Sequence, residues 1–235
     1  SWSTSQSGST YTITFTGAPA VSAAGSFTTS AATVNFNGTV TAAGVNVTAA
    51  TQLSVAAGVS VQSDTSNIDF AAGDIVIDPT ASIAAAAGTP NVILRGDGAG
   101  DTIGVGTGAA GVVSLSEAEL QTVAASIGQI EIGTAGSQTG TITVDDVGDN
   151  GILVLNNTDL VLHADGPAAV NQIGTGEIDL SGGAGHGFRV NGADGGTTLR
   201  ADVRSQGGTV FIDDAVTLGA HVRIDTAVGA AGGAN

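Results

Sequence analysis

Over residues 33–78 apolar and polar side chains alternate in short runs: TVNFNG, TVTAAG, VNVTAA, TQLSVAAG, VSVQSDTS, NIDFAAG and DIVIDPT. Val34/Phe36, Val45/Val47, Leu53/Val55, Val59/Val61, Ile68/Phe70 and Ile75/Ile77 recur at a period of two, which puts each pair on one side of an extended strand. The corners between runs hold a few small residues. They are too short for crossover helices and lack the Asn-Gly pairs of a hairpin meander. Short strands joined by tiny corners, many times over, predict a coil in which each turn stacks on the one before. The expected fold class is all-β, a right-handed parallel β-helix (β-solenoid), as one domain over residues 1–235. Turns of about 18–24 residues are expected, and about ten of them would make a rod ~50 Å long.

Two stretches depart from the plain repeat. Thr10–Thr16 reads TYTITFT, with Tyr11, Ile13 and Phe15 on one side and Trp2 just upstream. Residues 1–30 read either as a cap whose rings close the first coil or as an assembly strand that docks on a neighbouring molecule. An ordinary first turn is the plainer alternative, and Trp2, Tyr11 and Phe15 are the candidate contact residues. Further on, Ser116 followed by Glu119 is a capping-box signature. With Leu115, Leu120 and Val123 it predicts one short helix within 116–125. Residues 81–88, ASIAAAAG, are Ala-rich but too short for a stable helix and read as strand and corner.

The succession GDTIGVG, VVSLSEAELQTV, IGQIEIG, GTITV and GILVL, over residues 102–162, resembles the repeats of filamentous-haemagglutinin-like proteins. These are large secreted bacterial exoproteins and adhesins built as right-handed parallel β-helices. The resemblance implies an extracellular or bacterial cell-surface location and a structural or adhesive role.

Composition agrees with a narrow-bored coil. Aromatic residues make up only 3% of the chain, too few for the wide core of a sandwich this long. No Cys is present, which removes disulfides, thiolate metal sites and Cys nucleophiles. No Met is present either, so the expectation is a mature chain or a portion of a longer one. No apolar run approaches the ~20 residues that span a membrane as a helix. With no Lys, five Arg and a formal net charge of −16, the surface repels phosphate backbones, so no nucleic-acid partner is expected. The same surface attracts divalent cations.

Residues 94–108, LRGDGAGDTIGVGTG, carry three tempting motifs. Arg95-Gly96-Asp97 is an integrin-type tripeptide. Gly96, Asp101 and Ile103 match a calcium-binding nonapeptide turn, which makes Asp97 and Asp101 the candidate calcium ligands; no tandem copy follows to complete the stacked site. Gly98, Gly100 and Gly104 lack the Lys-Ser/Thr and the long helix of a phosphate loop. The reading preferred over all three is a wide glycine-rich corner. Catalysis finds no constellation: the Asp residues are scattered, and His163, His186 and His221 fall in separate segments. Thr-x-Thr pairs such as Thr39/Thr41 and Thr141/Thr143 alternate with Asn46, Gln62 and Asp69, so no regular Thr face for a crystal surface follows.

The expectation is therefore a structural, non-enzymatic extracellular solenoid. It forms or extends a surface filament, matrix fibre or adhesin stalk by end-to-end stacking, or continues into further repeats of a longer chain. No cofactor is expected beyond calcium. The alternative is a carbohydrate-binding or carbohydrate-cleaving β-helix of tailspike or polysaccharide-lyase type, for which a glycan is the partner.

Overall fold

The computed structural model describes residues 2–7, 10–16, 21–146, 151–155, 158–164, 170–172, 176–192, 195–219 and 221–226. For 2–7, 10–16, 21–23, 171–172, 183–184 and 206 it describes the backbone alone. The chain is wound as a parallel β-solenoid of about 8 turns. Each turn supplies strands to three ladders. The first runs from Phe27 through Val45, Ile68, Val92, Ile130, Leu160 and Phe188 to Val210, each in register with the next. The second passes through Ile142–Val144, Val170–Gln172 and Thr197–Leu199 to Val216–Leu218. The third ends with Ile152–Val154, Glu177–Ala184, Val203–Gln206 and Ile224–Asp225. Strands Phe27–Asn37 and Val45–Val55 are long enough to serve the first and second ladders at once.

The period-two pattern explains the interior. Every apolar pair read from residues 33–78 is buried, from Val34 at 0% exposure to Val59 at 6%. Stacking rungs ~4.8 Å apart puts like side chains in contact along the axis and shares backbone hydrogen bonds between turns. Rings stack on one another near the N-terminal end, while Phe188 fills the bore alone further along. Phe36 stacks on Phe70 at 6.2 Å between centroids, and Phe27 meets Phe36 edge-on at 6.1 Å.

Two expectations need correction. Turns are fewer than ten, because some are longer than 24 residues. The step from Phe27 to Val45 takes 18 residues, but that from Val92 to Ile130 takes 38. The surplus is an inserted strand. After Ile103–Val105 the chain loops back and lays Val113–Leu115 parallel to it, with Ile103 opposite Val113. The loop needs Gly106: its φ is +102°, and a Cβ there would fall on the carbonyl oxygen of Asp145.

The predicted helix forms at this insertion, over Glu117–Leu120, with the capping box closed in both directions. Ser116 Oγ accepts from the Glu119 amide at 3.3 Å, and Glu119 Oε2 accepts from the Ser116 amide at 2.8 Å. The helix side chains then act as a strand edge. Glu119 Oε1 accepts the Ile77 N–H at 3.0 Å, and Glu117 Oε2 accepts the Val154 N–H at 3.0 Å. Gln121 Nε2 donates to the Val154 carbonyl at 3.1 Å. Buried backbone groups must be paired, and here carboxylates and an amide pair groups that a regular turn would have met with backbone. Val123, bridged in parallel to Ile83, carries the third ladder one rung into the gap.

The two ends differ. Trp2–Ser7 runs antiparallel to Thr10–Thr16, with Trp2 opposite Phe15 and Gln6 opposite Tyr11. A hairpin thus covers one edge of that strand; the side chains of Trp2, Tyr11 and Phe15 lie outside the described residues. At the other end the last rung continues the core columns but is uncovered among the described residues. Leu218, in register with the buried Leu199, is 60% exposed. Val216 and Ile224 are also exposed. Among the described residues no helix is long and apolar enough to cross a membrane.

Candidate functional site

On the first ladder the residues that alternate with the core point outward. Register stacks Asn46, Asp69, Ile93, Glu131, Val161, Arg189 and Phe211 in one column. Beside it stand Arg95, His163 and Asn191. Groups tens of residues apart in sequence become neighbours.

Arg95 forms a fork on Asp69, Nε to Oδ1 at 2.9 Å and Nη2 to Oδ2 at 3.0 Å. Glu131 is the hub. Its Oε1 accepts from Asn91 Nδ2 at 2.6 Å and Gln129 Nε2 at 2.8 Å, and its Oε2 lies 2.9 Å from His163 Nε2. His163 is buried, and its Nδ1 faces Asn191 Nδ2 at 3.5 Å. His163 beside it, helped by the Gln129 and Asn91 amides and opposed by burial, holds the Glu131 carboxyl below the usual range.

A carboxyl whose folded pKa lies below its unfolded value stabilises the fold above the unfolded value, and that contribution is lost as pH falls through the folded one. The unfolded reference for Glu131 is 4.5. The wild type is therefore expected to lose stability relative to Glu131→Gln as pH falls below about 4.5. Chemical denaturation of the two at pH 7 and pH 3 reads the difference; an equal offset at both pH values would contradict it.

Toward the C-terminal end, Arg189 Nε donates to Asn191 Oδ1 at 2.6 Å, and its guanidinium lies 4.8 Å above the Phe211 ring. Asp159 Oδ1 accepts the Gly187 N–H at 2.8 Å, with His186 Nδ1 at 3.7 Å. Two open depressions follow this sheet. One of about 410 Å³ is lined by Gln129, Asp159, Val161, Arg189, Phe211 and neighbouring glycines. The other, about 290 Å³, is lined by Asp69, Ile93, Arg95, Glu131 and residues 133–135.

The motifs that drew notice in the sequence sit elsewhere or are otherwise engaged. Asp101 Oδ2 turns back to accept the Gly98 N–H at 2.9 Å, while Asp97 is exposed. Among the described residues no three His, Asp or Glu side chains gather at one point. Arg95 of the Arg-Gly-Asp tripeptide is held on Asp69. His163 lies against Glu131 and His186 near Asp159, and His221 is exposed near the last rung. On the third ladder Arg204 bridges to Glu177 at 3.0 Å, so Arg and acidic residues do pair across turns. Burial pushes the Glu177 carboxyl up, Arg204 pulls it down, and Asp202 and Asp179 push it up further.

The Glu131–His163 centre was not legible beforehand. Both residues occupy outward positions of alternating strands, but 32 residues separate them, and no fixed repeat length predicts that they meet. The fold is a parallel β-solenoid with charged networks on the outward positions of its first and third ladders. Comparison with protein-family models, with curated proteins and with solved structures found no match.

Proposed function

We propose that the protein is a structural, non-enzymatic solenoid of the bacterial cell surface or extracellular space. The surface location and structural role follow from its resemblance to filamentous-haemagglutinin-like repeats; it forms or extends a filament, matrix fibre or adhesin stalk by stacking rungs end to end, or continues into further repeats of a longer chain. The observation that carries this reading is the last rung. Val216, Leu218 and Ile224 continue buried columns yet stand 45%, 60% and 49% exposed, beside backbone edges of the same strands. An apolar rung whose edge is unpaired among the described residues is a template for another rung, supplied by a second copy or by further repeats of a longer chain. The formal charge of −16 favours axial over lateral contact, because rods of like charge repel along their sides.

Sedimentation velocity over a range of concentrations tests this. The wild type is expected to form a growing series of oligomers, and Leu218→Asp, which places a charge on the open rung, is expected to remain monomeric. Because Leu218 is largely exposed, the variant keeps its fold. A wild type that stays monomeric at every concentration would overturn the reading.

A further inference from the structure

We propose that the corner after the strand Ile142–Val144 binds a calcium ion, with Asp145 and Asp146 as its carboxylate ligands. Val144 lies in register with Val105 on the preceding rung, and the Asp145 N–H donates to the Val105 carbonyl at 3.0 Å. Gly106–Thr107 and Asp145–Asp146 therefore turn the same corner side by side. Asp146 is 0% exposed. The Thr107 N–H donates to its Oδ1 at 2.7 Å and fixes the carboxylate. Its Oδ2 is closed off from solvent and meets no donor among the described residues. The same is true of Asp145 Oδ1.

A carboxylate oxygen buried without water or a donor is costly, and two acidic side chains adjacent in sequence also repel each other. No basic side chain answers them. The chain has no Lys, and its five Arg and three His are all described residues. None of these eight pairs with Asp145 or Asp146; their acidic contacts lie on other side chains, such as Asp69, Glu131 and Glu177. Either a proton or a cation from solution must therefore neutralise the corner.

The geometry favours the cation, and calcium in particular. A Cβ on Gly106 would lie 2.2 Å from the Asp145 carbonyl oxygen and 3.5 Å from Asp146 Oδ1. The Asp146 carboxylate is thus folded back beside the Asp145 carbonyl, which gathers three oxygen-bearing groups on two residues. On the other side, a Cβ on Gly176 would lie 2.8 Å from the Asp145 Cα and from the Val144 carbonyl oxygen. Glycines on both sides let neighbouring backbone close over the pair and exclude water. No third His, Asp or Glu side chain joins them among the described residues, so backbone carbonyls complete the shell. Calcium takes protein oxygens in flexible geometry, whereas magnesium keeps several waters. A donor set without Cys or His disfavours zinc and copper. This corner is separate from that of Asp97 and Asp101, where Asp101 is tied to the Gly98 N–H. The inference does not depend on end-to-end stacking, because both carboxylates belong to one copy.

Thermal unfolding of the full chain by circular dichroism, in calcium chloride and in chelator, tests it. Physiological salt screens the diffuse attraction of a chain of formal charge −16 for any cation. The wild type is expected to gain about 5 °C or more in midpoint when calcium is about a hundredfold above its dissociation constant. Asp146→Asn keeps an acceptor for the Thr107 N–H and removes the charge. It is expected to melt at or above the wild type in chelator and below it in calcium. That crossover separates a cation ligand from a carboxyl that is merely protonated, for which calcium changes nothing. Asp97→Asn is expected to respond to calcium as the wild type does. Titration calorimetry is expected to show Asp146→Asn weakening calcium binding by about tenfold or more. Should Asp146→Asn fail to fold, Asp145→Asn decides by the same crossover. A wild-type midpoint that calcium does not move, or an equal calcium shift in the wild type and the Asn variant, would overturn the proposal.

Discussion

Phe70→Ala is expected to destabilise the solenoid by about 3–5 kcal/mol. Phe70 is fully buried, stacked on Phe36 at 6.2 Å, and in register between Val47 and Leu94. A β-solenoid interior is narrow, and the rungs above and below are locked by backbone hydrogen bonds, so the bore has little freedom to close over a missing ring. The cost therefore combines lost burial with the cavity left behind. Each turn contacts only its neighbours, so the loss is concentrated in the N-terminal turns rather than spread over the rod. Denaturant unfolding followed by circular dichroism measures it, with Phe70→Leu expected to cost much less. A loss below about 1 kcal/mol for the Ala variant would mean that the ring is not part of a tightly packed column.

The second large effect is expected at the inserted turn. Glu119→Ala removes the acceptor for the Ile77 N–H and for both the amide and hydroxyl of Ser116. Hydrogen bonds to a charged group contribute about 1.5–3 kcal/mol each, and Glu119 is partly exposed, so a total of about 2–4 kcal/mol is expected. The Ile77 amide matters most: Ile77 itself is buried, and no backbone carbonyl replaces the lost carboxylate. Glu119→Gln keeps an acceptor oxygen and is expected to recover a large part of the loss. If Ala and Gln variants unfold alike, the carboxylate does not serve as a strand edge.

These two residues mark how far the sequence can be read. Phe70 was legible: its alternation with Ile68 placed it inside, and the same period located the buried residues of 33–78. The short helix was legible too, from the Ser116/Glu119 capping box and the apolar Leu115, Leu120 and Val123 beside it. That Glu119 would also reach Ile77, 42 residues earlier, was not, because nothing local encodes the inserted strand Val113–Leu115. The Glu131–His163 network was hidden for the same reason. Outward residues are free of the apolar constraint that makes a core pattern visible, and turns that vary from 18 to 38 residues break any fixed spacing between partners such as Glu131 and His163. Alternation gives the side on which a residue lies; only the register between turns gives its neighbours.

The most direct test of a rod that grows by stacking rungs is negative-stain electron microscopy of the purified full chain across the same concentration range. The expected result is filaments of constant width, one solenoid across, that lengthen with concentration and are absent for Leu218→Asp. Discrete particles no longer than a single chain at every concentration would contradict it.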